Sequence, residues 1–282
     1  MAAIATLRSG QLDVIAPNVR RLVAHNAGYL TGPGTNSYLL GRERFLLIDP
    51  GPTGETHIER LLEETAGRIE AVLVTHTHPD HSPAAAVIAA RTAASLLGRA
   101  PPHAGHQDLS FTPQRELQDG DVIEFDAGRL RALHTPGHAS NHVCYLLEGT
   151  GLLFTGDHLM QGSTVVIAPP DGNMSDYLAS LQRLLSEPVQ AIAPGHGLVI
   201  EPATAEISRI IAHRLQREAK VLERLGSAPT SLEDLLPRVY DDVDPRLHVL
   251  ARASLLAHLI KLEQDARVQR SGEDHWVVSS RR

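Results

Sequence analysis

Short apolar runs alternate with amphipathic stretches over the first two hundred residues, a pattern typical of sheets covered by helices. We predict strands at SYLL, RFLLI, RIEAVLV, DVIEF, RLRALH, HVCYLLE, GLLFT and VQAIAP. The helical spacing of apolar residues predicts helices at GETHIERLLEETAG and DYLASLQRLL. A further helix is predicted at AAAVIAARTAASLL, with Ser82 as its cap, Pro83 in its first turn and Gly98 at its end.

The pattern changes near Ala205, where long helical periodicities replace the short runs. We predict helices at AEISRIIAHRLQREAKVLERLG, SLEDLLPRVY and LHVLARASLLAHLIKLEQD, and two strands around a Ser-Gly-Glu-Asp turn in ARVQRSGEDHWVVS. Helices followed by a hairpin are typical of a small winged-helix-like domain, in which Trp276 would pack in the core. We therefore expect one domain at 1–204 and a second at 205–282.

The composition is that of an ordinary globular protein, with 42% hydrophobic and 21% charged residues. No basic leader precedes an apolar stretch at the start, and no run approaches the roughly 18 apolar residues of a spanning helix. We therefore expect a cytoplasmic protein without a membrane anchor. The single cysteine, Cys144, excludes an intrachain disulfide and a thiolate-rich site, so nitrogen and oxygen must hold any metal.

The net charge of −7 arises in the first part of the chain. Residues 1–200 carry 13 Lys and Arg against 20 Asp and Glu, whereas residues 201–282 carry 13 against 13. A protein whose whole surface attracts nucleic acid would need a basic excess. The charge pattern therefore argues against that class of protein.

Candidate ligands follow apolar runs at five places in the chain. FLLID ends in Asp49, AVLVTHTHPDH contains a histidine cluster, RALHTPGH ends in His138, GLLFTGD ends in Asp157, and AIAPGH ends in His196. Strand ends at one edge of a packed sheet can converge on a common point. The sequence therefore predicts a single site built from five separate segments.

The histidine cluster has the spacing of a metal site. Residues two apart in an extended segment point to the same side, so His76 and His78 can hold one ion together. A turn at Pro79 then redirects the chain, which lets Asp80 and His81 face a second ion nearby.

Three later residues can complete two metal sites: His138 the first, His196 the second, and Asp157 as a bridge between them. Imidazole and carboxylate ligands suit zinc, and two zinc ions roughly 3.5 to 4 Å apart activate a bridging hydroxide for hydrolysis. Asp80 is also the candidate catalytic group, which orients the hydroxide or protonates the leaving group. Asp49 is a candidate acceptor for the N–H of a ligand imidazole.

The run THTHPDH, followed in order by TPGH, TGD and APGH, resembles the metallo-β-lactamase superfamily over roughly residues 15–200. The resemblance implies an α+β fold, an αββα four-layer sandwich, here followed by a C-terminal helical, winged-helix-like domain. It also implies the ligand set His76, His78 and His138 on one zinc ion, Asp80, His81 and His196 on the other, and Asp157 between them.

Within the superfamily, the presence of Asp157 and the position of Cys144 inside a strand argue against a true β-lactamase. Iron-binding flavodiiron relatives carry Glu at the position of His78, which favours zinc. The stretches GPGTNSYLLG, GDHLMQGSTVVI, YLASLQRLL, PGHGLVI, HRLQRE and LLAHLIKLEQDARV resemble the lactamase-beta-like protein two branch, endoribonucleases of single-stranded RNA.

The substrate remains open between two chemical classes. The resemblance favours a metal-dependent hydrolase of RNA phosphodiesters, whereas the acidic first domain and the layout of glyoxalase II favour a thioester, ester or lactone. A non-enzymatic alternative is a nucleic-acid-binding module formed by the C-terminal domain. The sequence also leaves open whether that domain contacts substrate, covers the site as a lid, or joins two copies in a homodimer.

Two segments are candidates for substrate binding. Gly162, Ser163 and Thr164 form a polar loop just after Asp157, although the loop can equally be a simple connector. His213 and Arg217 fall on one helical stripe with Lys220 and Arg224, which can take a phosphate or carboxylate. A solvated helix face among glutamates is the alternative for that stripe.

Overall fold

The computed structural model describes residues 7–272 and 274–279, and within them twelve strands form two mixed sheets. The strands of the first sheet lie in chain order: β1 (Leu12–Ala16), β2 (Val19–Val23), β3 (Asn36–Gly41), β4 (Phe45–Ile48), β5 (Ile69–Leu73), β6 (Ser95–Gly98) and β7 (Arg115–Glu116). Neighbours from β1 to β4 are antiparallel and those from β4 to β7 are parallel. The strands β1, β2 and β7 were not predicted.

The second sheet follows the first along the chain. Its strands are β8 (Val122–Phe125), β9 (Gly128–His134), β10 (Val143–Leu147), β11 (Leu152–Gly156) and β12 (Ala191–Pro194). They pair in the order β12-β11-β10-β9-β8, and the β11–β12 pair is parallel. A hairpin turn joins the two predicted strands β10 and β11, whose Leu147 and Leu152 are register partners.

Helices cover the outer face of each sheet. The first sheet packs against α1 (Glu55–Thr65) and α2 (Ala84–Thr92), and the second against α3 (Met174–Leu184) and the first part of α4 (Ala203–Leu225). The layers are therefore helix, sheet, sheet, helix, and the predicted αββα sandwich is confirmed.

The main core lies between the two sheets. Tyr38, Ile48 and Leu73 of the first sheet meet Tyr145 and Phe154 of the second. The rings of Tyr38 and Phe154 lie 4.9 Å apart between centroids. Because most of these strands are buried on both faces, their sequences are continuous apolar runs rather than alternating ones.

The predicted helix at AAAVIAARTAASLL is wrong in its last part. The helix α2 ends at Thr92, Ala93 is left-handed with φ 59°, and the residues that follow form β6. Leu97 is the register partner of Leu73, so sheet pairing wins over helix propensity for this short apolar run. The hydroxyl of Ser82 does not cap α2, because it donates to Asp108 Oδ2 at 2.6 Å.

A smaller unit forms the C-terminal part. It contains the second half of α4, the helices α5 (Leu232–Val239) and α6 (His248–Gln264), and the strands β13 (Thr230–Ser231), β14 (Val268–Arg270) and β15 (His275–Val278). Trp276 is 1% exposed in its core, as predicted. The predicted turn before β15 includes Glu273, which lies outside the described residues.

The long helix α4 belongs to both hydrophobic clusters. Ile207 and Ile210 pack with the second sheet, whereas Val221 and Leu225 pack with α5 and α6. The boundary near residue 205 thus falls close to the start of this helix and stays a prediction. None of the helices in the described part of the chain is both long and apolar enough to cross a membrane.

Candidate metal centre and adjoining cleft

Five strands bring the candidate ligands to one edge of the sandwich. Asp49 follows β4 directly, and the histidine cluster follows the parallel strand β5. From the second sheet, His138 follows β9, Asp157 follows β11, and His196 follows β12. The geometry therefore gathers all five segments that sequence analysis singled out.

The first group of ligand atoms consists of imidazole nitrogens. His76 Nε2 lies 2.9 Å from His78 Nδ1, and His138 Nε2 lies 3.0 Å from the same atom. His76 is fully buried, whereas His78 and His138 are partly exposed. These three atoms can hold one metal ion.

The second group mixes imidazoles with carboxylates. Asp80 Oδ2 lies 3.2 Å from His196 Nε2 and 3.5 Å from His81 Nε2. Asp157 Oδ1 lies 3.2 Å and 3.4 Å from the same two nitrogens. The other oxygen of Asp157 faces the first group, 3.9 Å from His138 Nε2, so one carboxylate lies between the two groups.

The donor atoms fit bound metal ions. A tetrahedral ion with bonds of about 2.0–2.1 Å needs ligand atoms about 3.3–3.4 Å apart, close to the separations in both groups. His81 Nε2, His196 Nε2 and Asp157 Oδ1 are also fully buried without a hydrogen-bond partner in the described residues. Buried polar atoms are normally paired, so these three are explained by a cation. The cluster can bind metal ions, with one group of ligands for each of two.

Asp49 holds one ligand of each group by hydrogen bonds, His81 directly and His76 through Thr75. Its Oδ2 accepts hydrogen bonds from His81 Nδ1 at 2.9 Å and from Thr75 Oγ1 at 2.7 Å. The Thr75 hydroxyl in turn lies 3.1 Å from His76 Nδ1. When Nε2 of each imidazole faces a cation, Nδ1 carries the proton, and the chain of bonds fixes that tautomer.

Backbone carbonyls orient two more ligands. His138 Nδ1 lies 2.8 Å from Val166 O, and His196 Nδ1 lies 3.2 Å from Gly34 O. Gly195 allows the chain to pass close to the site, because a Cβ there would lie 2.8 Å from Asp157 Oδ1. Each of these contacts restricts the conformation of a ligand side chain before any ion binds.

The local electrostatics differ between the two groups. Burial lowers the pKa of His78 to about 3, and it holds the pKa of His76 well below its ordinary value. Burial also opposes charge on His196, but Asp157 and Asp80 outweigh it and raise the pKa of that imidazole to about 9. His76 and His78 thus offer neutral imidazoles to the first group. In the second group, a divalent cation can replace the proton that balances the carboxylates at His196.

A cleft of about 680 Å³ opens from the metal centre toward the C-terminal unit. His78, Asp80, His138 and Asp157 lie at one end. Its walls are largely apolar and include Tyr29, Leu30, Met160, Val165, Val166, Val243, Leu247 and Leu250. The other end is formed by α4, so a molecule that filled the cleft would contact both parts of the protein.

The predicted substrate-binding residues all line this cleft: Gly162, Ser163, Thr164, His213 and Arg217. Arg217 is engaged within the protein, since its guanidinium contacts both carboxylate oxygens of Asp242 at 2.7 and 3.0 Å. Lys220, from the same predicted stripe, pairs with Asp241 and does not line the cleft. The stripe is therefore largely neutralised by its own carboxylates.

Sequence reasoning missed two residues of this region. Thr75 links Asp49 to the ligand His76. The sequence signals this role only by a hydroxyl residue between the strand β5 and the histidine cluster. Arg214 lines the cleft next to His213, but its helical spacing set it apart from the predicted stripe.

Comparison with known proteins gives two family matches. The model of the metallo-beta-lactamase superfamily matches residues 30–196, and that of the beta-lactamase associated winged helix domain matches residues 231–276. The atrochrysone carboxyl ACP thioesterase of Claviceps purpurea is 29% identical, over 94% of this chain and 87% of its own. The beta-lactamase-like protein 2 homolog of Drosophila melanogaster is 31% identical, over 94% of both chains.

Among solved structures, a beta-lactamase domain protein from Burkholderia ambifaria has the same fold. It superposes with a TM-score of 0.83 over 98% of this chain and 96% of its own, at 23% identity. The likeness extends over both units, and the winged-helix prediction for the C-terminal part is confirmed.

Proposed function

The chain belongs to the metallo-beta-lactamase superfamily and is a metal-dependent hydrolase, and from this premise we propose that it uses two zinc ions to hydrolyse an acyl thioester. Zinc is favoured by the donor set, because five imidazoles and two carboxylates suit it better than the oxygen ligands of magnesium or calcium. The seven proposed ligands are His76, His78, Asp80, His81, His138, Asp157 and His196.

The observation that carries the substrate proposal is the apolar cleft joined to the metal centre. Its walls and its volume of about 680 Å³ suit an acyl group that binds by burying apolar surface. Single-stranded RNA would instead need a cationic track with aromatic faces for its bases. Two of the basic residues at the far end of the cleft, Arg217 and Arg209, are poorly suited to that role, because they already pair with Asp242 and Glu206.

The name of one relative also supports a thioester substrate. A relative from Claviceps purpurea, similar over nearly the whole chain, is by name a thioesterase of an acyl carrier protein. The whole-chain match matters because the cleft is shared by both units of the chain. Endoribonuclease activity, the other candidate from sequence, has no comparable feature of the cleft in its favour.

When bound, the two ions supply an activated water and polarise the carbonyl oxygen of the thioester. The protein's own groups position the reaction. Asp80 reaches the cleft with 27% of its side chain exposed and orients the attacking water through a carboxylate oxygen. Water adds to the carbonyl carbon, the C–S bond breaks, and the products are a carboxylic acid and a thiol.

The test is release of thiol from hexanoyl-N-acetylcysteamine by zinc-loaded protein, detected with a thiol reagent. We expect turnover by the wild type and loss of turnover in His78→Ala and Asp157→Ala, with circular dichroism unchanged. A labelled single-stranded RNA is assayed in parallel, with Asp80→Ala as the control for contaminating nuclease. Cleavage of the RNA without release of thiol would refute the thioesterase proposal in favour of the endoribonuclease.

A further inference from the structure

Three arginine side chains are almost fully buried among the described residues, and two of them face a carboxylate. Arg21 is 3% exposed and lies 2.7 Å from Asp13, and Arg217 is 6% exposed and lies 2.7 Å from Asp242. Arg214 is 2% exposed, and in the described part of the chain no carboxylate lies within ion-pair distance of it. A buried cation destabilises a fold unless an opposite charge accompanies it.

The contacts of Arg214 fix its position without neutralising it. Its Nη2 donates to the carbonyl oxygen of Val165, and its guanidinium carbon lies 5.4 Å from the centre of the Tyr177 ring. Its Nε is fully buried and has no hydrogen-bond partner in the described residues. Arg214 is one of the residues that line the cleft, next to His213.

The side chain lies close to the metal centre. The carbonyl of Val165 holds Arg214, and the next carbonyl, of Val166, accepts the hydrogen bond from the ligand His138 at 2.8 Å. Since consecutive Cα atoms are about 3.8 Å apart, the guanidinium lies no more than about 11 Å from the His138 imidazole. A small substrate can therefore contact both.

Several of the charged groups around Arg214 are positive. Burial and the nearby Arg214 and Arg217 lower the pKa of His213, whose Nδ1 is buried without a partner in the described residues. The same arginines add to the effect of burial in holding the pKa of His258 well below its ordinary value. Since Arg209 and Arg217 pair with Glu206 and Asp242, an anionic group entering this end of the cleft would be attracted mainly by Arg214.

We propose that Arg214 binds a carboxylate carried by the acyl part of the substrate, remote from the thioester carbonyl. The substrate class is then an acyl thioester with a second, free carboxylate. This inference rests on the proposed thioesterase function. Arg214 suits the role because a planar guanidinium can pair with both oxygens of a carboxylate, and because its Nε has no hydrogen-bond partner in the described residues.

The test compares pairs of substrates that differ only in whether the remote carboxylate is free or methylated. Glutaryl, adipyl and suberyl thioesters of N-acetylcysteamine are assayed beside their ω-methyl esters, and kcat/KM is measured for each pair. We expect the wild type to prefer the carboxylate form by roughly 10- to 100-fold at the best chain length, the usual effect of a charge-assisted hydrogen bond. In Arg214→Gln, which keeps an N–H donor for Val165 but not the charge, the ratio should fall to near one.

Two further variants separate charge from structure. Arg214→Lys keeps the positive charge and should retain part of the preference. Arg209→Gln is the matched control, because Arg209 lines the same cleft but is held by both oxygens of Glu206 at 2.8 and 2.7 Å. A wild type without preference, or an unchanged ratio in Arg214→Gln, would overturn the inference while leaving the thioesterase function intact.

If no thioester is hydrolysed, a binding measurement tests the carboxylate site separately from the thioesterase function. That result would refute the thioesterase function, and calorimetry of adipate and monomethyl adipate with zinc-loaded protein then decides the carboxylate site. Tighter binding of adipate that is lost in Arg214→Gln supports the site. Equal binding of the two compounds by the wild type overturns it.

Discussion

Replacing Asp49 with Asn removes the one carboxylate that supports ligands of both metal groups. Asn can keep the hydrogen bond from the Thr75 backbone N–H, which Asp49 Oδ1 accepts at 2.7 Å. Its amide nitrogen would then stand where Oδ2 accepts from His81 Nδ1 and Thr75 Oγ1. Two donors would face a third donor, so both bonds are lost. The backbone is not strained further, because Asn tolerates the φ of 50° at this position.

The magnitude follows from those two bonds. Hydrogen bonds to a charged group contribute about 1.5–3 kcal/mol each, so the loss of two should cost the metal-free protein about 3–6 kcal/mol of folding free energy. Loss of support behind a ligand typically weakens metal binding about 10- to 100-fold. In Asp49→Asn, His81 loses its own hydrogen bond to the carboxylate, and His76 loses the support that reaches it through Thr75. We therefore expect weaker metal binding at both sites.

The assay measures zinc affinity by competition with a chromophoric chelator, and stability by urea unfolding of the metal-free protein. Asp126→Asn is the matched control, since Asp126 also accepts several hydrogen bonds but from the exposed backbone of Arg42, Glu43 and Arg44. Zinc affinity within threefold of the wild type in Asp49→Asn would refute the idea that this carboxylate organises both groups.

Two further predictions concern stability. Gly137→Ala should lower the free energy of unfolding by about 3 kcal/mol, because φ is 144° and the new Cβ would lie 2.3 Å from Tyr177 Cα. Gly149→Ala, where φ is 81° and nothing lies within 4 Å, should cost only about 1 kcal/mol, and equal losses in urea unfolding would contradict the clash. Burial, aided by His25, lowers the pKa of His57 to about 4 from 6.5, so the unfolded state binds this proton first as pH falls. His57 by itself should account for about 3 kcal/mol of the stability that the wild type loses between pH 6.5 and 4. His57→Gln, which can keep a bond to Ser37, should flatten that part of the stability profile, and an unchanged profile would rule His57 out as its cause.

The candidate ligands could be predicted because each lies in a short segment directly after a buried strand. His76, His78, Asp80 and His81 lie within six residues, so local geometry alone suggests that they converge. The support from Asp49 was predictable in kind, since ligand imidazoles usually donate their second N–H to an oxygen. Its link through Thr75 was not, because it depends on the parallel pairing of β4 with β5.

The far end of the cleft could not be predicted from sequence. It is formed by α4, which is distant along the chain from the metal ligands, and no sequence pattern reveals which face of that helix borders them. His213 and Arg217 were chosen because they share a stripe, but Arg214 is the cleft arginine that no carboxylate of the described residues pairs with. The strand β6 was missed for a similar reason, since its partner Leu73 decides its conformation.

The metal centre and the far wall of the cleft lie on opposite sides of the shared helix α4 along the chain, so that evolution or an engineer can change one without the other. The metal ligands depend on strand ends of the sandwich, whereas Val243, Leu247 and Leu250, beyond α4, shape the opposite wall of the cleft. Substitutions in that wall alter the shape of the cleft and leave the ligand atoms in place. A single catalytic apparatus can in this way acquire new substrates by drift in a small appended unit, without passing through an inactive intermediate.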